Sequence, residues 1–258
     1  MRPLLIVLID GLAADVAREC LSVRNTSPRL DPRFRSVRAA WPSNSLCTWS
    51  TLFSGREPQE HEVLSIADRF RAGQPEFFRL AATRKTMIVG HYLLFELASQ
   101  LVFEPTKHTV LASGRPFHGF FYDNTFPLGL FPSEPSATTV FGAAASIAAE
   151  VLPEISVVHY DQIDLVGHVH GRGREYRAAA LNLDEALSHF LRAAPEASVI
   201  ITSDHGQDAE GLHGGDSEDE RLAPLILSPD LAEQLPQEEV PMEQAELGRF
   251  LLDLVRHG

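Results

Sequence analysis

Leu4-Leu5-Ile6-Val7-Leu8-Ile9-Asp10-Gly11-Leu12 is the stretch on which the fold turns. Six consecutive apolar residues rich in Leu, Ile and Val describe a strand covered on both faces, as strands of parallel sheets are. The run stops at Asp10, which puts a carboxylate at the strand's C-terminal end. Open α/β sheets bind their ligands at that edge. The pattern returns twice: residues 155–160 lead into Asp164 and His168 within DLVGH, and residues 199–202 lead into Asp204-His205 within VIITSDHG. His213 follows in LHGGD.

Working outward, residues 86–90 and 224–228 read as further strands, while 136–152, 176–193 and about 243–256 carry helical periodicity. Strands alternating with helices predict an α/β fold, a three-layer α/β/α sandwich around a mostly parallel sheet. A chain of 258 residues suits a single catalytic domain spanning 1–258. Residues 104–136 lack a clean period, and their aromatic run FHGFFYDNTFPLGLF (117–131) has two readings. One is a packed loop with buried rings. The other is a lid or wall that shapes the substrate site.

With 44% hydrophobic and 22% charged residues, the composition is that of an ordinary globular protein. The net charge of −13 argues against a nucleic-acid polymer as partner, since that grip needs a basic footprint. Two bound divalent ions would offset about four units of it. The opening MRPLLIVLIDGL has one Arg and a short apolar run broken by Asp10, without a small-residue cleavage site, so it reads as a strand and not a leader. No stretch is long enough to cross a bilayer, and a cytoplasmic location without membrane contact is the expectation. Cys20 and Cys47 are too few for a disulfide framework.

The chemistry lies in the strand ends. Asp10, Asp164 and Asp204 with His168, His205 and His213 supply nitrogen and oxygen donors of the kind two zinc-like ions take. Two such ions about 3.5–4 Å apart can stabilise the attacking and leaving oxygens of phosphoryl transfer. A nucleophile is available in PSNSLCTWSTLFSG (42–55), where Ser45 opens a segment of helical length closed by the Gly55 stop signal. A serine hydroxyl is weak until a base or metal activates it. Free N–H groups at a helix start would also bind a phosphoryl oxygen. Ser43 and Thr48 are neighbouring hydroxyls, and Asp10 alone reads equally as a helix cap.

Taken in order, these motifs resemble the alkaline phosphatase superfamily, most closely its type I phosphodiesterase/nucleotide pyrophosphatase branch. There an early strand ends in Asp-Gly, and Pro-Thr-x-Thr-Phe-Pro-Asn-His-Tyr-Thr-Leu-x-Thr-Gly carries the nucleophile. The matching stretch here runs Pro42-Ser43-Asn44-Ser45-Leu46-Cys47-Thr48-Trp49-Ser50-Thr51-Leu52-Phe53-Ser54-Gly55, with Ser45 at the nucleophilic position. REPQEHE (56–62) resembles the family's Tyr-Pro-Glu-Ser-His-Gly, with His61 at its histidine, and LNLDEAL (181–187) resembles a family helix. Asp164-x-x-Gly167-His168, Ser203-Asp204-His205-Gly206 and His213-Gly214 match the remaining motifs, and their spacing prefers His168 to His170 and Asp164 to Asp161.

The resemblance implies Asp10, Ser45, Asp204 and His205 around one ion and Asp164, His168 and His213 around the other. It implies a phosphoryl- or nucleotidyl-serine intermediate on Ser45, with zinc as the metal and manganese as the alternative. Three positions depart from the family: Ser45 replaces its Thr, Thr48 its phosphoryl-binding Asn, and Leu46 the Phe that stacks on a nucleobase. Asn44, Thr48 or a backbone N–H is then expected to hold the phosphoryl oxygen. Leu46 moves the expectation away from nucleotides. The expected partner is a small-molecule phosphate ester, cleaved as a diester or a nucleotide pyrophosphate. Monoester hydrolysis, phosphonate hydrolysis and phosphomutase chemistry are alternatives within the superfamily; a non-catalytic metal-dependent binding protein is one from another class.

Overall fold

The first strand, β1 (Leu4–Ile9), is buried along its whole length. Its side chains alternate between two separate cores. Leu4, Ile6 and Leu8 pack with Trp49, Leu52, Phe53 and Leu251 on one face, whereas Leu5, Val7 and Ile9 pack with Val16, Val140 and Leu187 on the other. Burying each such aliphatic side chain stabilises the fold by about 1.5–3 kcal/mol. A strand with two apolar faces needs helices on both, and that requirement produces the three layers. The computed structural model describes residues 2–111, 117–122, 135–193, 197–236 and 240–257.

Eight further strands join β1: β2 (Arg35–Arg38), β3 (Thr86–His91), β4 (Val110–Leu111), β5 (His118–Tyr122), β6 (Ile155–Tyr160), β7 (Ser198–Ser203), β8 (Leu222–Leu227) and β9 (Met242–Glu243). They form one nine-stranded sheet in the order β4-β5-β3-β6-β1-β7-β8-β2-β9. The central block β5-β3-β6-β1-β7 is parallel. β8 runs antiparallel to both β7 and β2, and β4 antiparallel to β5. Because β6 and β7 flank β1 in register, their ends bring Tyr160 and Ser203 beside Ile9. Everything that follows these three strand ends therefore emerges at one place.

One face is covered by the helices Ser45–Ser54, Glu76–Ala81, Tyr92–Ser99 and Gln244–His257, the other by Ala14–Cys20, Ala137–Val151 and Arg174–Ala193. The strands and helices expected from periodicity lie within two residues of these bounds. Strands β2, β4, β5 and β9 and the helices Ala14–Cys20, Glu76–Ala81 and Tyr92–Ser99 were not expected. The start of the aromatic run, read as a loop, is strand β5 inside the sheet, where Phe117 and Phe121 face one core and Phe120 and Tyr122 the other. β2, with the sequence RSVR, was missed because only Val37 is buried. Of the remaining segment suggested as a lid, 112–116 and 123–134 lie outside the described residues. No helix among the described residues is long and apolar enough to cross a membrane.

Candidate active site

At the end of β1 the chain turns through Gly11, whose φ of +69° favours glycine. A Cβ at Gly11 would also lie 2.7 Å from Asp164 Oδ1, so this glycine lets the carboxylate approach the end of β1. Tyr176 fixes the turn, its hydroxyl donating to Gly11 O at 2.5 Å and accepting from Ala13 N at 2.9 Å. The second glycine of the motifs has an equally local cause. Gly167 faces Gln207, and a Cβ there would sit 1.6 Å from Gln207 Oε1. Gln207, fully buried, uses its Nε2 to hold Asp164 Oδ1 at 2.6 Å and Asp164 O at 3.0 Å.

The segment expected to carry the nucleophile forms the helix Ser45–Ser54, as its stop signal suggested. Asn44 caps it by accepting the Cys47 N–H at 3.2 Å, and Gly55 ends it at φ 67°. Leu46 through Phe53 are all buried, which seats the helix and aims its N-terminus at the strand ends. Ser45 Oγ then lies 3.3 Å from Asp10 Oδ1 and 3.4 Å from His205 Nε2. The neighbouring hydroxyls are committed elsewhere. Ser43 is fully buried, donating to Gly215 O and accepting from Gly214 N. Thr48 does not reach the cleft: it is buried, and its hydroxyl bonds back to the Asn44 and Ser45 carbonyls at 3.0 Å. Asn44 lines the cleft, but its amide group caps the helix and donates to Leu64 O at 2.8 Å. The donors left for a phosphoryl oxygen are backbone N–H groups. Among the described residues, no acceptor takes those of Ser45 and Leu46.

Around Ser45 the acids and imidazoles form two groups whose donor atoms lie within 4.8 Å of one another: Asp164, His168 and His213, and Asp10, Asp164 and His205. Asp164 thus belongs to both groups, whereas the family pattern gives it to one. Asp204 sits behind the second group, with Oδ2 3.5 Å from His205 Nε2. The imidazoles are oriented for lone-pair donation. His205 donates from Nδ1 to Gly206 O at 2.9 Å and His213 from Nδ1 to Ser43 O at 3.0 Å, leaving each Nε2 facing inward. His213 Nε2 stands 3.2 Å from His168 Nε2 and 3.5 Å from Asp164 Oδ1. His168 Nε2 also lies 3.1 Å from Asp164 Oδ2, so a proton or a cation among these three donor atoms satisfies them together. The donor set therefore fits divalent ions of the zinc or manganese type.

Several polar residues of the site escaped the motif reading. His159, the residue before the last of the buried strand β6, faces Asp10 Oδ2 at 3.3 Å. Trp49 donates to Asp204 Oδ2 at 2.8 Å. Gln244 accepts from Ala40 N and donates to Asp204 O, tying the terminal helix to the end of β7. Asp161 lines the cleft and accepts from the Tyr122 hydroxyl at 3.0 Å; burial pushes its carboxyl up to about 6. His61 belongs to the frame, its ring meeting Thr51 Oγ1 at 2.9 Å, and burial lowers its pKa to about 4. His170 is exposed and joins neither ligand group.

Burial disfavours the charges of the central cluster, and their mutual attraction opposes it. Burial and the neighbouring Asp10 charge push Asp204 up to about 7. For His205 burial favours the neutral ring, yet Asp204 and Asp10 outweigh it and raise its pKa to about 10. Near neutral pH the ion-free cluster therefore keeps a proton on His205, the atom a cation must displace. Zinc binding is expected to release that proton, so apparent affinity rises by up to about tenfold per pH unit below pH 10. Titrating zinc into lightly buffered protein with a pH indicator checks this; binding without proton release would contradict it.

The cleft holding Ser45 has a volume of about 510 Å³. Its walls are aliphatic at Leu46, Ile66, Leu93 and Leu165, and among the described lining residues there is no Lys or Arg. Arg172 is turned away to Gln207 O and Asp219. Arg56 and Arg174 do not reach the cleft either. A larger cavity of about 760 Å³, between the helices Ala137–Val151 and Arg174–Ala193, contains none of the ligand residues.

Solved structures share this architecture. Murine ectonucleotide pyrophosphatase/phosphodiesterase 5, in an inactive form with AMP, is similar over 99% of this chain and 95% of its own, with TM-score 0.65 and 11% identity. Phosphonoacetate hydrolase from Sinorhizobium meliloti 1021, in complex with phosphonoacetate, gives TM-score 0.55 at 18% identity over 80% of this chain. The alignment covers 56% of that hydrolase's length. A 2-O GAG sulfatase gives TM-score 0.56 at 14% identity, with 99% of this chain and 71% of its own covered. At such identities the likeness is one of fold. Comparison with curated proteins by sequence returns no match. The family model for type I phosphodiesterase / nucleotide pyrophosphatase matches residues 4–214, a span that includes Asp10, Ser45, Asp164, His168, Asp204, His205 and His213. The chain belongs to the type I phosphodiesterase / nucleotide pyrophosphatase family.

Proposed function

We propose that this protein is a metal-dependent hydrolase of phosphodiesters that uses Ser45 as its nucleophile and two divalent ions, zinc first and manganese as the alternative. One observation carries the reading. Ser45 Oγ stands at the head of a buried helix, 3.3 Å from Asp10 and 3.4 Å from His205, in a cleft without a described cationic side chain. A phosphodiester carries one negative charge, which two helix-start N–H groups can meet. A monoester's second charge would find no partner in the described lining.

In this reading Asp10, Ser45, Asp204 and His205 hold one ion, Asp164, His168 and His213 hold the other, and Asp164 reaches toward both. The bound ions would supply charge neutralisation for the attacking and leaving oxygens. Ser45 forms a bond to phosphorus while the bond to one ester oxygen breaks, and that group leaves as its alcohol after taking up a proton. Water then cleaves the seryl ester and releases the phosphomonoester with Ser45 regenerated. The N–H groups of Ser45 and Leu46 hold a non-bridging oxygen throughout. The aliphatic wall suits an ester arm without a nucleobase, in keeping with Leu46 at the stacking position.

The test is turnover of bis-p-nitrophenyl phosphate by protein stripped with a chelator, dialysed, and reloaded. Stripping is expected to abolish turnover, and zinc or manganese to restore it. Equal turnover before and after stripping would overturn the metal-dependent reading. A reloaded protein that binds its ions without turnover would replace the hydrolase with a binding protein.

A further inference from the structure

Both acids beside Ser45 are gripped by aromatic N–H donors to which the motif reading gave no role. Trp49, 1% exposed, donates from Nε1 to Asp204 Oδ2 at 2.8 Å. His159, fully buried, presents Nε2 to Asp10 Oδ2 at 3.3 Å. The tautomer follows from the other side of the ring: Nδ1 accepts the His91 N–H at 3.4 Å, which leaves the proton on Nε2. The two rings also brace each other edge-on, with centroids 4.8 Å apart at 74°.

The remaining contacts show what this brace leaves available. Asp204 Oδ1 accepts from Gly11 N at 3.1 Å and His205 N at 2.9 Å. Asp10 keeps Oδ1 for the inner side, 3.3 Å from both Ser45 Oγ and His205 Nε2. With one oxygen tied back, Asp10 can offer only the other, and Asp204 can offer only the lone pairs that its three donors spare. Donors that orient metal-ligating groups in this way typically govern affinity by about 10–100-fold.

We propose that Trp49 and His159 are positioning residues that orient the Asp204 and Asp10 carboxylates toward a cation beside Ser45. The inference rests on the metal-dependent reading of the site. It makes the two ion positions unequal. The position beside Ser45 depends on the aromatic brace, while the one at His168 and His213 depends on Gln207 holding Asp164.

The test is an equilibrium zinc titration against a chromophoric chelator, read as two dissociation constants, with a His213→Ala variant to identify the outer position. Trp49→Phe keeps the ring volume and removes the N–H. It is expected to weaken the position beside Ser45 by about 10–100-fold and leave the outer one within about twofold. His159→Gln, which retains an amide donor, is expected to stay closer to wild type than His159→Leu. A reading free of substitution at the brace comes from Trp41→Phe, which leaves Trp49 as the sole tryptophan of two. Its emission is expected to change as the position beside Ser45 fills. Unchanged constants in Trp49→Phe, an equal loss at both positions, or a silent Trp49 emission would overturn the proposal. Wild-type protein that takes up no zinc would overturn the metal-dependent reading and this inference with it.

Discussion

Replacing Ser45 with alanine is expected to lower kcat/KM on bis-p-nitrophenyl phosphate by about ten-thousand-fold or more, the scale seen when a covalent nucleophile is removed. The size of the loss follows from the lack of a substitute. Cys47, two residues on, is fully buried, and burial pushes its thiol up to about 12, so it supplies no thiolate. Ser43 spends its hydroxyl on the loop that carries His213, and Thr48 spends its own on the helix backbone. Stability is expected to stay near wild type, because Ser45 Oγ makes only long contacts of 3.3 and 3.4 Å, and zinc uptake is expected to persist on the acids and imidazoles that remain. Steady-state kinetics, a thermal melt and a zinc titration on the same preparation check all three. A variant that keeps a tenth of the activity would show that another group attacks phosphorus.

Much of the fold was legible because buried parallel strands are written as unbroken apolar runs. LLIVLI is buried end to end and stops at the sheet edge where Asp10 begins the polar residues, and ISVVHY is equally buried and interrupted only by Ser156 and His159. β5 was not legible for the opposite reason: its five residues begin with His118 and Gly119 and run on into a Gly- and Pro-containing stretch, so no unbroken apolar run stands out. The ligand candidates were legible because each stands within a few residues of a strand end or in a short Gly-marked motif. Their pairing across the two groups was not, because Asp164 reaches Asp10 only through the close approach that Gly11 permits.

The residues that support the site were invisible for a different cause. Trp49 meets Asp204 across 155 positions of sequence, and His159 meets Asp10 across 149. A tryptophan in an apolar helix reads as core, and Trp49 is indeed core on all sides but one. His159 did carry a signal, being an imidazole inside a strand that is buried throughout. Such a group needs a polar partner inside the protein. Asn44 and Thr48 illustrate the converse, because helix-start side chains commonly satisfy the local backbone before any ligand.

The central claim concerns charge as well as mechanism: a cleft built for a monoanionic phosphodiester. Ser45 faces a space whose described walls hold Asp10, Asp161 and Asp164 but neither Lys nor Arg, with Leu46, Ile66, Leu93 and Leu165 around the mouth. With the acids occupied by the ions, a second phosphate charge there would find no cationic side chain to meet it, and unpaired charge in a site is costly. The most direct measurement is the ratio of kcat/KM for bis-p-nitrophenyl phosphate to that for p-nitrophenyl phosphate on zinc-loaded protein. The geometry predicts a diester preference on the order of a hundredfold, equivalent to about 2.7 kcal/mol of transition-state discrimination. Equal rates, or a preference for the monoester, would contradict it and require a cationic group facing Ser45.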